Sequence, residues 1–217
     1  MARHYPYQMP TPSRKYFAIA LWIALYLAVL IWSVWAPTDR FTWWLEVTPT
    51  LAGIAVMAAT CRRFPLTPLL CWIILFHSAI LFIGGHYTYA EVPLPNLFGD
   101  LFGHGRNNYD KIGHFMQGVT PALIARELLV RTSPLRPGKW LGFLSVCAAL
   151  AFSAFYEMIE MWVSMGTGSG GDAFLGTQGY VWDTQTDMLM ALIGSTFAMF
   201  TLAHWHNCQM RARGWLK

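Results

Sequence analysis

The chain has 217 residues, of which 55% are hydrophobic and only 12% charged. Soluble domains usually carry about 25% charged residues, so composition excludes an ordinary soluble domain and indicates a polytopic membrane protein. The net charge of +4 calls for no nucleic-acid partner, because the basic residues fall in alternating loops, the pattern that orients membrane proteins.

A spanning helix needs about 20 mostly apolar residues, and six segments qualify: 16–35, 41–60, 67–85, 109–130, 140–163 and 184–204. The expected fold is all-α, a single helix bundle in the bilayer. The first span is longer than a signal-peptide core and lacks a small-x-small cleavage site, so it reads as an uncleaved anchor. The tails and the loops after spans 2 and 4 collect twelve Lys and Arg, whereas the other side collects three, Arg40, Arg106 and Lys111. Both termini are therefore expected in the cytoplasm, and the protein in a bacterial inner membrane. Pro49 and Pro121 fall within spans 2 and 4 and predict kinks. Trp43, Trp44, Trp162 and Trp182 read as an outer aromatic belt. The four cysteines form no C-x-x-C motif and read as small apolar residues. Two long outer loops, 86–108 and 165–183, stand out against short basic inner ones.

Depth sorts the ionisable residues. Helices rise about 1.5 Å per residue, so Asp110 and His114 lie at the outer start of span 4, Glu157 and Glu160 at the outer end of span 5, and Asp183 and Asp187 at the outer start of span 6. His86 closes span 3 at the same level, and Glu46 sits near the outer start of span 2. The spacings i, i+3 and i, i+4 put partners on shared faces. Asp110 and Asp183 also suit helix capping. Capping leaves His114 and Asp187 unexplained, and two acids at the C-terminal end of span 5 oppose the helix dipole. Ionisable residues inside spans mark functional sites. His77, mid-span, reads as a hydrogen-bonded interhelical histidine; His204 and His206 read as interfacial; Glu127 reads as paired with neighbouring arginines. Lys111 is expected to snorkel to the interface.

The segments GGHYTYAEVP, NNYDKIGHFMQG, FYEMIE and GTQGYVWDTQTDML resemble the signature segments of the YjdF family, uncharacterised bacterial inner-membrane proteins, over nearly the whole chain. That resemblance implies a multipass inner-membrane location and no activity. Asp110-Lys111-x-x-His114-Phe115 is similar, more loosely, to VanZ-like proteins, with Glu157, Asp187 and Gly194 following. It departs from them in the Asp183-x-x-x-Asp187 spacing and at Ala191, and it bears on fold alone.

Three functions fit this polar layer. In the first, His86, Asp110, His114, Glu157, Glu160, Asp183 and Asp187 supply ligands for a divalent cation such as Mg, Mn or Zn. His114, Glu157 and Asp187 would carry catalysis on an envelope lipid, with Arg106 and Lys111 holding its head group. No nucleophile elbow or H-E-x-x-H motif accompanies them. The alternative is a non-catalytic protein that binds lipid or assists assembly. An ion-coupled transporter is disfavoured, because the ionisable groups stop at the outer third and no inverted repeat is evident. Neither substrate nor oligomeric state is legible.

Overall fold

The structure is a computed structural model that describes residues 11–94, 101, 105–167, 174 and 177–216. Seven α-helices are described: α1 Pro12–Val34, α2 Arg40–Thr60, α3 Pro68–Tyr87, α4 Tyr109–Thr132, α5 Lys139–Thr167, α6 Asp183–Thr201 and α7 Ala203–Ala212, with a 3₁₀ turn at Tyr89–Glu91. No strand occurs among the described residues. All six expected spans coincide with helices. By length and composition, α1, α3 and α5 suffice to cross a membrane, and α6–α7, bent by 56°, makes a fourth if taken as one span. Below, the end holding Asp110, Glu157 and Asp183 is called the outer end, after the charge asymmetry.

The low hydropathy of α4 follows from its position. It packs against α3, α5 and α6, and fifteen of its 24 residues are buried, so little of it needs to match lipid. Its closest neighbour is α6. A Cβ on Gly118 would strike the Ala191 carbonyl oxygen, and one on Gly194 would strike that of Phe115. Glycine at both positions lets the two backbones touch. On the far side, α3 carries α1 and α2. Ser33 donates to the Phe82 carbonyl at 2.7 Å and accepts from Trp43 Nε1 at 2.8 Å. Trp43 is therefore buried between helices rather than in the aromatic belt; Trp44, Trp162 and Trp182 are exposed.

Local chemistry sets several boundaries. Asp39 caps α2 by accepting from the Thr42 N–H at 2.6 Å, which holds its carboxyl below the ordinary range. Both α2 and α4 continue through their prolines. The expected sixth span instead breaks after Thr201, whose hydroxyl donates back to the Phe197 carbonyl at 2.7 Å, a bond that bends helices.

The break turns α7 under the inner end of the bundle. There Glu127 is fully enclosed. It accepts from Thr67 N–H and Oγ1 at 3.2 and 2.9 Å, lies 3.0 Å from His206 Nε2, and pairs with Arg131 at 3.0 Å. His206 is thus a buried partner rather than an interfacial residue, and only His204 of the two is exposed. Arg131 is itself sandwiched between Phe64 and Trp215.

Candidate functional site

The first turns of α4 project Asp110, Lys111, His114 and Gln117 against the outer ends of α5 and α6. Lys111 has no exposed surface, so it does not snorkel. Its Nζ donates to Asp183 Oδ1 at 2.6 Å and Asp187 Oδ1 at 2.8 Å, with Asp110 Oδ2 at 3.4 Å. Arg106 pairs with Asp110 and, at 2.7 Å, with Asp183, and donates to the Thr177 carbonyl at 2.6 Å. Neither acid caps its helix: the N-cap positions are Asn108 and Trp182, without a side-chain cap bond. Asp110 and Asp183 are ion-pair members, and both expected head-group cations are turned inward onto carboxylates.

The second half of the layer centres on His114, which is 8% exposed. Its Nδ1 lies 2.8 Å from Gln117 Oε1 and 3.6 Å from Glu157 Oε1, and its Nε2 lies 3.6 Å from Asp187 Oδ1. The 3.6 Å separations exceed hydrogen-bond length. Glu157 Oε1 is buried with no hydrogen-bond partner. Two triads bring ligand atoms within 4.8 Å of one another: His114, Glu157 and Asp187, and Asp110, Asp183 and Asp187. Arg106 and Lys111 already neutralise the second triad. The first shares Asp187 with it, so Lys111 reaches that triad too, at 2.8 Å, and Glu157 has only the imidazole beside it.

Of the other expected ligands, His86 stands apart: it lies 3.1 Å from the Ser33 carbonyl oxygen and stacks on Trp32 at 4.3 Å. Glu160 is buried but belongs to neither triad. It lies within electrostatic reach of Glu46, Tyr89 and Tyr156. Tyr89 and Tyr156 are members that the sequence reading missed. The Tyr89 ring is slotted between Gly84 and Gly113, where any Cβ would meet it; a glycine facing an aromatic across two helices leaves no local sequence signal. His77 lies within electrostatic reach of His114, which joins it to the layer from the α3 side.

The described parts of the two outer loops are tied to each other. Asn107 and Gln178 exchange bonds, N–H to Oε1 at 3.0 Å and Nε2 to carbonyl at 2.9 Å. Asn107 Nδ2 also donates to the Val92 carbonyl at 2.8 Å. His104 and Asp172 of these loops lie outside the described residues.

The family model described as "Predicted membrane protein (DUF2238)" matches residues 18–208. The chain belongs to the DUF2238 family. Every helix that supplies the polar layer lies within the DUF2238 match. The expected kinship is borne out as well: inner membrane protein YjdF of Escherichia coli (strain K12) is 48% identical over 186 residues, which is 86% of this chain and 89% of that protein. This DUF2238 protein is accordingly a multipass inner-membrane protein of the bilayer. No solved structure matches it.

Proposed function

We propose that this protein is a membrane-embedded hydrolase that uses one divalent cation at its outer end to act on the phosphoester head group of an envelope lipid. One observation carries the reading: His114, Glu157 and Asp187, from three different helices, bring donor atoms within 4.8 Å of one another. Glu157 faces Nδ1 and Asp187 faces Nε2, each at 3.6 Å; with Nδ1 held by Gln117, Nε2 is the nitrogen left to ligate, and because donors about 2.1 Å from one ion stand about 3.0–3.4 Å apart, an ion there would draw both carboxylates toward it. Gln117 fits the role of the hydrogen-bonding partner that fixes a ligating histidine. One nitrogen and two oxygen donors suit Zn or Mn better than Mg. Such an ion polarises a phosphoryl oxygen and lowers the pKa of bound water. In the hydrolysis, the water oxygen would bond to phosphorus as the bond from phosphorus to the ester oxygen breaks, and a proton from the water would pass by way of the second carboxylate oxygen of Glu157 to that departing oxygen, which leaves as the lipid alcohol.

A second reading has its own support. Lys111 and Arg106 already engage Asp110, Asp183 and Asp187, and a network of that kind also serves a purely structural or lipid-holding protein. Metal analysis separates the two. Protein purified in detergent should carry one Zn or Mn per chain, lost in His114→Ala and Glu157→Gln, and the cation should be required to release the phosphorylated head group from phospholipid, or phosphate from polyprenyl phosphate, in mixed micelles. If the purified protein and metal-loaded protein both hold no stoichiometric ion, the hydrolase reading fails and the non-catalytic one stands.

A further inference from the structure

A second buried ionisable cluster lies at the inner end, and the proposed chemistry leaves it unused. His206 of α7 has no exposed surface, and Arg126 of α4 is 3% exposed. The two ring nitrogens of His206 face opposite charges. Nε2 lies 3.0 Å from Glu127 Oε2, and Nδ1 lies 3.4 Å from a guanidinium nitrogen of Arg126. A guanidinium only donates, so Nδ1 is the acceptor and the ring proton sits on Nε2, from which it is donated to Glu127. The imidazole is neutral in this arrangement. Arg126 also donates to Asn207 Oδ1, so one guanidinium holds two successive side chains of α7.

A second proton on His206 has one place to go, Nδ1. There it would set an N–H against an N–H of Arg126 and bring two cations together in a buried site. Glu127 does not offset both, because its other oxygen is paired with Arg131 at 3.0 Å. Among the described residues no second carboxylate pairs with His206 or Arg126. The elements packed around the ring supply none: α6 carries no titratable residue beyond Asp187, α3 presents the Cys71 thiol, within electrostatic reach of Glu127, and the C-terminal segment adds a further cation, Arg213. On α7 itself, His204 is exposed and lies 3.8 Å from Cys208 Sγ, and Arg211 is exposed. The remaining ties of α7 do not titrate near neutrality. Gln209 accepts from the Leu69 N–H at 2.9 Å, Arg213 donates to the Leu66 carbonyl at 2.8 Å, and Met210 is fully buried.

We propose that His206 is a proton-operated latch: the neutral ring docks α7 under the bundle, and the protonated ring is driven out from between Arg126 and Glu127, so that α7 lets go of α4. The latch goes beyond the hydrolase reading and does not depend on it. A free imidazole takes up its proton near pH 6.5 or so, about its ordinary pKa. The docked arrangement excludes that proton, so docking is at full strength above that value and weakens as pH falls below it.

The test is hydrogen exchange of the full chain in detergent, read by mass spectrometry on peptides from α7 and α5, between about pH 7.5 and about pH 5, with the intrinsic pH dependence of exchange divided out. In wild type, exchange in α7 should rise by up to about tenfold per pH unit below about 6.5, the limit for one proton, while α5 stays protected. His206→Gln supplies a donor and an acceptor but no titration, and should keep α7 protected throughout. Arg126→Met removes the opposing cation and leaves the imidazolium paired with Glu127, so its α7 should stay protected in acid as well. Exchange in wild-type α7 that does not respond to pH overturns the proposal, as does an acid response that persists in His206→Gln. If His206→Gln does not fold, Arg126→Met decides: an acid response equal to that of wild type overturns the latch, and its loss sustains it.

Discussion

Replacing Lys111 by Met tests the core of the polar layer. The side chain is wholly enclosed, and its ammonium stands 2.6, 2.8 and 3.4 Å from three carboxylates. At an effective dielectric of about 20, each contact is a gross attraction of roughly 5–6 kcal/mol. Desolvation of the lysine and its acids offsets most of that sum. What decides the outcome is the mutant: methionine fills similar space but leaves Asp110 and Asp183 to share Arg106, and Asp187 with only His114, 3.6 Å away. Removing one partner of a buried ion pair typically costs about 3–5 kcal/mol. Lys111→Met should therefore lose that much in reversible unfolding followed by helical circular dichroism in mixed micelles. Adding Asp187→Asn should recover a large part of the loss, because Asp187 is the acid left without its cation, whereas Asp183 keeps Arg106. A loss below about 1 kcal/mol, the range of an exposed pair, would refute the reasoning and return Lys111 to the interface.

Two further outcomes follow from other parts of the molecule. Gly118→Ala and Gly194→Ala each drive a methyl group into a facing carbonyl and should cost at least the roughly 1–3 kcal/mol of overpacking, whereas Gly142→Ala, with nothing within 4 Å, should not destabilise; comparative thermal unfolding checks all three. Asp39→Ala should cost about 1 kcal/mol through loss of the α2 cap. Because the folded-state pKa of Asp39 is lowered by the Thr42 N–H, this contribution is complete above the ordinary carboxyl value of about 3.9 and fades as pH falls through the lower folded value, so melting curves of variant and wild type should converge in acid.

The apolar runs disclosed where the helices lie, since lipid imposes one requirement on any spanning segment. Depth and face then sufficed to group His114, Glu157 and Asp187, because a helix fixes both by counting. Which helix stands beside which is another matter. Lys111 faces Asp183, 72 positions along, and nothing near Lys111 in sequence distinguishes an inward lysine from a snorkelling one. His86 shares the right depth but looks toward α1, a direction that depth alone does not supply. Tyr89 reaches Glu46 only because Gly84 and Gly113 make room on two helices. The turn at Thr201 lacks the glycine or proline that usually announces a break.

The inner knot around Glu127 bears on how the protein is made. Glu127 and His206 are 79 positions apart. At typical synthesis rates the carboxylate waits roughly 4–16 s for its histidine. During that interval it already has Arg131 one turn along its own helix and Thr67 on a segment made earlier. Those two contacts hold the carboxylate in the nascent chain, and arrival of α7 adds His206 to them. A chain stopped before His206 would sit in the membrane with a half-satisfied buried acid, a mark by which quality control can recognise an incomplete product.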